Sequence, residues 1–333
     1  MPESEARFSD RLTASIEDRR SVVCVGLDPS IEAMPPAFVA GTAAGATQAA
    51  KDALDDAGEA AAAACCSAYC RQIIAAVAPF AAAVKPQAAF FEQYGAPGWR
   101  ALIEVVRCAR AHDLPVIVDV KRADIASTAE AYANAVFGGA AVPGGGVAAG
   151  LGADAVTVNP YLGTDSLRPF VARCSAGHGV FVLTRTSNPG AADLQERRVV
   201  RRSPTEHGAV EGPVSHTQLY RVVAELVAGL AEEHLGVRGY SDVGVVAGAT
   251  APAALAAVRE LVPRSFILVP GVGAQGGRIE TLRAAAAGEA GGLVVNSSRG
   301  ILYAWRQRGG DFRAAAAEAC AELRDQLTEV LWS

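Results

Sequence analysis

Residues 115–124 read PVIVDVKRAD, an apolar run that ends in charged side chains. A strand with one face in water would alternate apolar and polar residues, whereas Pro115–Val120 is apolar on both faces up to Asp119. The run therefore predicts a parallel β-strand that is covered on both sides. Asp119 and Lys121 are two residues apart, so their side chains lie on the same face of that strand.

Seven further runs of this kind return along the chain. They are Val22–Leu27, Phe80–Lys85, Asp154–Val158, Gly179–Thr184, Asp242–Ala247, Phe266–Pro270 and Gly291–Asn296. Between them lie alanine- and leucine-rich segments, of which Trp99–His112, Leu219–Leu235 and Phe312–Leu331 have an apolar face at helical spacing. Eight repeats of strand and helix predict a single-domain (β/α)8 TIM barrel of the α/β class over residues 1–333.

Three stretches interrupt this rhythm, at about residues 41–64, 138–150 and 197–216. The first is rich in Ala, Gly and Asp, the second is almost entirely Gly, Ala, Val and Pro, and the third is polar with many arginines. We interpret all three as insertions between barrel elements. The third is expected to be a solvated surface loop, with an approach of its arginines to an anionic ligand as the alternative.

Charge and composition exclude several classes of protein. The chain of 333 residues has 30 Lys+Arg against 35 Asp+Glu, a net charge of −5, which argues against a nucleic-acid binder. MPESEARFSDRL at the start has acids where a secretion signal needs apolar residues, and no run of about 18 apolar residues is evident. We therefore expect a cytoplasmic protein with no membrane partner. Seven dispersed cysteines without CxxC spacing predict buried thiols rather than a metal site.

Polar side chains follow most of the predicted strands at their C-terminal ends, where parallel barrels carry their reactive groups. They are Asp28, Lys85, Asp119, Lys121, Asn159, Thr186, Ser187, Gln275, Ser297, Ser298 and Arg299. Lys85, Asp119, Lys121 and Asp124 can form an array of alternating charges that remain ionised because each is paired. An inert salt-bridge network is the alternative. Asp124 and Thr128 are four residues apart and are expected to share a face at the start of a helix.

The segment GVGAQGG at residues 271–277 matches the GxGxxG pattern of dinucleotide-binding domains. We reject that interpretation because seven predicted strands precede the segment and too little chain follows it. A glycine loop after the seventh strand and Arg299 after the eighth match the usual phosphate site of a barrel. Glycines let backbone N–H groups approach phosphate oxygens, and Arg299 adds a forked cation.

Taken together, these motifs resemble the orotidine 5′-phosphate decarboxylase family, in its longer bacterial branch. The segments that carry the resemblance are VGLDPS (25–30), KPQAAFFEQYG (85–95), DVKRADIASTAEAYA (119–133), VTVNPYLG (156–163), LTRTSNPGAADLQ (183–195), VPGVGAQGG (269–277) and NSSRGI (296–301). The resemblance implies a carboxy-lyase that converts orotidine 5′-phosphate to uridine 5′-phosphate without a cofactor. This reaction is the last step of de novo pyrimidine nucleotide synthesis.

The resemblance also implies catalytic roles. Lys121 would protonate C6 of the pyrimidine after carbon dioxide leaves, and Asp119 would lie against the departing carboxylate. Lys85 and Asp124 would complete the charge array. Asp124 would reach in from the second subunit of a homodimer with shared active sites, together with Thr128 as a substrate-binding residue.

Substrate binding is implied for four further residues. Asp28 would hold a ribose hydroxyl, Ser187 would contact the pyrimidine, and Gln275 and Arg299 would grip the phosphate. One alternative is a metal-dependent sugar-phosphate decarboxylase or aldolase, which would need carboxylate ligands such as Asp28 and Asp119. The TSNPG and KPQ segments favour the pyrimidine nucleotide over it. Another alternative is a non-catalytic barrel that binds a phosphorylated nucleotide, which the intact charge array disfavours.

Overall fold

The apolar runs form the strands of a barrel in the computed structural model of the chain, which describes residues 6–50, 56–202, 214–272, 276–286 and 291–332. The strands are β1 Val23–Leu27, β2 Ala83–Pro86, β3 Ile117–Arg122, β4 Ala155–Val158, β5 Gly179–Arg185, β6 Arg198–Arg202, β7 Val214–Gln218, β8 Ser241–Ala247, β9 Ser265–Val269 and β10 Leu293–Ser297. All eight predicted runs are strands, with ends within three residues of the prediction.

Eight of these strands form one parallel sheet in the order β2-β1-β10-β9-β8-β5-β4-β3. The sheet returns to its start through parallel bridges between Val84 and Val116 and between Gln87 and Asp119, which connect β2 to β3. The prediction of a (β/α)8 barrel is therefore confirmed. The second bridge also brings Asp119 beside the end of β2, where Lys85 lies.

Helices cover the outside of the sheet. They are α1 Phe8–Arg19, α2 Pro36–Ala50, α3 Ala57–Val77, α4 Ala89–Glu92, α5 Gly95–Arg110, α6 Ala126–Phe137, α7 Thr164–Val171, α8 Ala191–Leu194, α9 Leu219–Ala231, α10 Pro252–Leu261, α11 Arg299–Leu302, α12 Trp305–Arg308 and α13 Phe312–Trp332. Short 3-10 segments are Ile31–Ala33, Pro160–Leu162, Ala172–Ala176, Glu232–His234 and Ile279–Ala285. The predicted helix at Leu219–Leu235 thus divides into α9 and a 3-10 turn.

Helix α3 is long and apolar enough to cross a membrane by length and composition alone, contrary to the expectation that no such run exists; among the described residues no other helix meets that test. Half of its most apolar window is buried inside the protein. Tyr69 of α3 stacks on Phe312 of α13, with ring centroids 4.9 Å apart, and Ser67 donates a hydrogen bond to Glu104 of α5. These contacts are those of an outer helix that packs against the neighbouring helices of a folded barrel.

The three predicted insertions have different structures. Residues 41–50 continue α2 and residues 57–64 begin α3, so the Ala-rich stretch is mostly helical, and residues 51–55 lie outside the described part. Residues 138–150 form an exposed irregular loop. The described ends of the arginine-rich stretch pair as a two-stranded antiparallel ribbon of β6 and β7, with Val200 paired to His216, and residues 203–213 lie outside the described part.

Helix α1 packs across the N-terminal end of the barrel. The ring of Phe8 lies edge-on to Phe181 of β5, and a Cβ at Gly179 would come within 2.1 Å of that ring. The buried carboxylate of Asp242 in β8 accepts hydrogen bonds from the backbone N–H and the hydroxyl of Ser9, both at 2.8 Å. These contacts hold α1 against the N-terminal ends of the strands, so that the C-terminal ends are left to line the cleft described below.

Candidate active site

A cleft of about 490 Å³ opens at the C-terminal ends of the strands. Side chains from all eight barrel strands, or from the loops that follow them, line this cleft. Its volume lies within the usual range of small-molecule sites, roughly 300–1,000 Å³. Six of the nine predicted site residues line it: Asp28, Lys85, Asp119, Lys121, Ser187 and Arg299.

Asp119 lies at the centre of a hydrogen-bond network on the floor of the cleft. Its Oδ2 accepts hydrogen bonds from Lys85 Nζ and Gln87 Nε2, each at 2.9 Å. Its Oδ1 accepts from Lys121 Nζ at 2.6 Å and from Thr157 Oγ1 at 2.7 Å. One buried carboxylate therefore holds two ammonium groups, one on each oxygen.

The two lysines keep this carboxylate ionised. Burial raises the pKa of Asp119, but the charges of Lys85 and Lys121 outweigh burial and hold the pKa well below its ordinary value of about 3.9. Burial likewise lowers the pKa of Lys85, and the charges of Asp119 and Asp28 outweigh it and hold that pKa above its usual range. Asp119 and Lys85 are thus both charged at neutral pH, although both are buried.

Lys121 differs from Lys85 because its side chain is 46% exposed and reaches into the cleft. Its backbone has φ 45°, in the left-handed region that non-glycine residues rarely adopt. The pairing of β3 with β4 shifts register between Val118 and Arg122, so Lys121 lies where the ladder is interrupted. Strained backbone of this kind often lies at functional sites. The interruption aims the Lys121 ammonium group at Asp119 and the open cleft.

The structure does not bring Asp124 and Thr128 into the cleft of their own chain. Asp124 precedes α6, which begins at Ala126, so the prediction that both residues lie on one helix face is wrong. The carboxylate of Asp124 accepts a hydrogen bond from the backbone N–H of Ile125 at 2.8 Å, and Thr128 is exposed. Within one described chain the array therefore consists of Lys85, Asp119 and Lys121.

Asp28 follows β1 directly and lies on the side of the cleft opposite to β5. Its Oδ1 is buried and has no hydrogen-bond partner within the described residues, which leaves an acceptor for a donor from a ligand. The hydroxyl of Tyr303 fixes the loop that carries Asp28. It donates to the backbone carbonyl of Asp28 at 2.8 Å and accepts from the backbone N–H of Ser30 at 2.7 Å.

Ser187 lies on the rim that follows β5. Its backbone carbonyl accepts a hydrogen bond from Thr250 Oγ1 at 3.1 Å, and the preceding Thr186 N–H donates to Gln195 Oε1 at 2.8 Å. Gly248 permits this arrangement, because a Cβ there would lie 2.7 Å from the Cα of Ser187. The Ser187 side chain is thus held at the mouth of the cleft.

The predicted phosphate site lies between the ends of β9 and β10. Arg299 is exposed at the start of α11 and lines the cleft together with Gly271 and Val272. Gly271 has φ 92°, a backbone conformation that favours glycine. Gln275 lies in residues 273–275, outside the described part of the chain.

Sequence reasoning missed Gln87 and Thr157, which supply two of the four hydrogen bonds to Asp119. Gln87 follows Lys85 by two residues, so the alternation of a strand could have placed it on the same face. Thr157 is the polar residue within an otherwise apolar strand, AVTV, and a polar residue at such a position usually has a buried partner. Tyr303 gave no signal, because its partners lie more than 270 residues earlier.

Comparison with known proteins agrees with this geometry. The family model described as "Orotidine 5'-phosphate decarboxylase / HUMPS family" matches residues 21–309. Orotidine 5′-phosphate decarboxylase of Roseiflexus castenholzii is 42% identical over 97% of this chain and 98% of its own length. The corresponding protein of Rhodopirellula baltica is 42% identical over 94% of this chain and 93% of its own length.

A solved structure gives the same result. The OMP decarboxylase of Leishmania donovani superimposes with a TM-score of 0.69 at 34% identity, covering 98% of this chain and 99% of that one. The similarity in sequence and in fold thus extends over nearly the whole chain. The chain therefore belongs to the orotidine 5′-phosphate decarboxylase family, which converts orotidine 5′-phosphate to uridine 5′-phosphate in pyrimidine synthesis.

Proposed function

We propose that the cleft decarboxylates orotidine 5′-phosphate with Lys121 as the proton donor. The observation that carries the proposal is the buried Asp119 between the ammonium groups of Lys85 and Lys121. In the reaction the bond between C6 and the carboxylate breaks, carbon dioxide leaves, and the electron pair stays on C6. An ammonium group already fixed near C6 stabilises that charge and then donates its proton to form the C6–H bond.

Asp119 and Lys85 have supporting roles in this proposal. Asp119 faces the substrate carboxylate, so like-charge repulsion is relieved as the carboxylate departs. Lys85 keeps Asp119 ionised in its buried position. Both oxygens of Asp119 already accept hydrogen bonds from two donors each, which does not suit it as a ligand of a divalent metal. The chemistry of these donors favours the decarboxylase over the metal-dependent sugar-phosphate alternative.

Groups far from the reacting carbon bind the rest of the substrate. We assign the ribose hydroxyls to Asp28, supported by its unpartnered Oδ1, and the pyrimidine to Ser187 on the opposite rim. Arg299 and Gln275 are assigned to the phosphate. Binding energy from the phosphate orders the reacting end of the substrate and can thereby raise the rate. Charge-assisted hydrogen bonds of this type contribute about 1.5–3 kcal/mol each.

We further propose a homodimer in which Asp124 and Thr128 enter the cleft of the partner. Large apolar side chains lie exposed beside these two residues and after the adjacent strand β4, among them Ile125 (54% exposed) and Tyr161 (75% exposed). Exposed apolar groups gathered on one rim are typical of an interface. We place the dimer in the cytoplasm, where thiols stay reduced, because the seven cysteines are free.

Mixing two inactive variants tests the shared site. Lys121→Ala and Asp124→Ala are each expected to lose turnover, measured as the change in pyrimidine absorbance in excess EDTA. After subunit exchange, half of the dimers combine both variants, and one of their two sites has both residues intact. About 25% of wild-type activity should therefore return, as the two-fold symmetry of a dimer requires.

A matched control uses two residues that the structure places in the same cleft of one chain. Lys121→Ala mixed with Asp119→Ala should regain nothing, because each site of the mixed dimer lacks one of the two groups. Native mass spectrometry verifies that subunits have exchanged. No recovery in the first mixture, or equal recovery in both mixtures, would contradict the shared site, and a fully active Lys121→Ala variant would contradict the proposed proton donor.

A further inference from the structure

Thr157 has a buried hydroxyl whose hydrogen-bond partners both belong to the charge array. The residue lies in β4, is 1% exposed, and is flanked on the strand by the buried apolar residues Val156 and Val158. A buried hydroxyl needs partners, and Thr157 has two that belong to the same site. Its Oγ1 donates to Asp119 Oδ1 at 2.7 Å and accepts from the backbone N–H of Lys121 at 3.1 Å.

These two bonds fix the direction of the hydroxyl proton. A hydroxyl has one proton to donate, and an oxygen that accepts from the Lys121 N–H presents a lone pair on that side. The proton of Thr157 is thereby committed to Asp119. The same carboxylate oxygen receives the Lys121 ammonium at 2.6 Å, so one small side chain holds both ends of the Lys121–Asp119 contact.

The backbone of Lys121 explains why its N–H is held by a side chain and not by the hydrogen bonds between β3 and β4. The register between β3 and β4 shifts between Val118 and Arg122, and Lys121 adopts a left-handed φ of 45°. Its N–H therefore points to a side chain rather than to a backbone carbonyl of β4. Without the Thr157 hydroxyl, this N–H would be left without its present partner, and the strained backbone would lose a contact that holds it.

We propose that Thr157 is a positioning residue of the decarboxylation, one that orients the Asp119 carboxylate and the Lys121 ammonium relative to each other. The inference rests on the proposed role of Lys121. Within the described residues, the hydrogen bonds of the Thr157 side chain go to Asp119 and Lys121 and not to Asp28 or Arg299. Its removal should therefore slow the chemical step and leave substrate affinity nearly unchanged.

The test compares Thr157→Val, which replaces the hydroxyl by a methyl group of similar size, with Thr157→Ser, which restores a hydroxyl. Thr184→Val is the matched control. Thr184 is also buried on a barrel strand, but its hydroxyl donates to the backbone carbonyl of Val182 at 3.1 Å and does not contact the array. We expect Thr157→Val to lower kcat about tenfold to a hundredfold, the worth of a hydrogen bond to a charged group, with KM within about threefold.

Two further results are expected from the same set of variants. Thr157→Ser should recover kcat to within roughly threefold of wild type, because the hydroxyl returns. Thr184→Val should leave kcat unchanged, because its hydroxyl bonds to the backbone carbonyl of Val182 and not to the array. Equal kcat losses in Thr157→Val and Thr184→Val would overturn the proposal, as would a Thr157→Ser variant no better than the valine variant.

A binding measurement separates this inference from the proposed mechanism. The probe is an analogue of uridine 5′-phosphate with an anionic oxygen on C6, which pairs with the Lys121 ammonium whether or not that group donates a proton. Thr157→Val should weaken the analogue about tenfold or more and leave uridine 5′-phosphate itself nearly unchanged. Equal weakening of both ligands would overturn the role of Thr157. If Lys121→Ala kept its turnover, the proton donor would be wrong, and the ratio of these two affinities would still decide the inference.

Discussion

Replacing Asp119 by asparagine keeps the shape of the side chain and removes the negative charge that two ammonium groups share. The consequences for the two lysines differ because their environments differ. Lys85 is 5% exposed, and removal of one partner from a buried ion pair typically costs about 3–5 kcal/mol, since the other charge is left unpaired. The side chain of Lys121 is 46% exposed, so water screens its charge and its pair contributes at most about 1 kcal/mol.

These free energies translate into melting temperatures. Unfolding a chain of 333 residues carries an entropy of roughly 0.7 kcal/mol/K, from about 2.1 cal/mol/K per residue. Asp119→Asn should therefore melt about 4–7 °C below wild type at pH 7. Lys121→Met, which leaves Lys85 paired, should melt within about 1.5 °C of wild type. Differential scanning calorimetry of the three proteins measures both values.

A double variant provides the control. Asp119→Asn combined with Lys85→Met removes both buried charges, and an apolar replacement of a buried pair is often neutral or stabilising. The double variant should recover at least half of the lost melting temperature. If Asp119→Asn melted within about 1 °C of wild type, or if the double variant were no more stable than the single one, the reasoning that buried Lys85 depends on the Asp119 charge would be refuted.

Three further predictions concern pH, the phosphate and the ribose. Lowering the pH from 7 to 3 should narrow the difference in melting temperature between wild type and Asp119→Asn. The pKa of Asp119 lies below its ordinary value of about 3.9, so the ionised carboxylate stabilises the fold fully above pH 3.9, and this contribution is lost as the pH falls further. A difference that stayed constant would contradict this. Arg299→Ala should raise KM by roughly tenfold or more, the worth of a charge-assisted hydrogen bond to phosphate, and an unchanged KM in steady-state assays would remove Arg299 from the phosphate site. Tyr303→Phe should weaken uridine 5′-phosphate roughly two- to tenfold through the loop of Asp28. The affinity of the 2′,3′-dideoxy analogue of uridine 5′-phosphate, measured by competitive inhibition, should be unaffected. Equal weakening of both nucleotides would speak against an effect through Asp28.

The barrel could be predicted from the sequence because a covered parallel strand has an unmistakable pattern. Runs such as Val22–Leu27 and Asp242–Ala247 are apolar on both faces, and they became strands with nearly the predicted ends. The rule that polar groups gather at the C-terminal ends of parallel strands then placed Asp28 and Arg299 at one cleft, although they are far apart in the chain.

What could not be predicted depends on contacts between distant segments. The spacing of Asp124 to Thr128 predicts that both lie on one helix, whereas the chain turns at Ala126, which has φ 46°, and the helix starts only there. The ribbon of β6 and β7 has a strand, RVVRR, whose many charges hide its alternation. The charge array of Lys85, Asp119 and Lys121 was expected from the sequence, but the hydrogen bond from Thr157 to Asp119 was not, because Thr157 comes from a different strand and no local pattern links it to Lys121.

The pairing of β1, near the start of the chain, with β10, near its end, has a consequence for biosynthesis. One edge of β1 pairs with β2, and its other edge pairs with β10, where Val23 lies opposite Val295. The hydrogen bond from Ser9 of helix α1 to Asp242 likewise cannot form until more than 230 further residues have been synthesised. During translation the nascent sheet therefore carries an unpaired edge at β1 until nearly the whole chain has left the ribosome. Unpaired strand edges can pair with strands of other chains, so the growing chain must be kept from aggregating throughout that time.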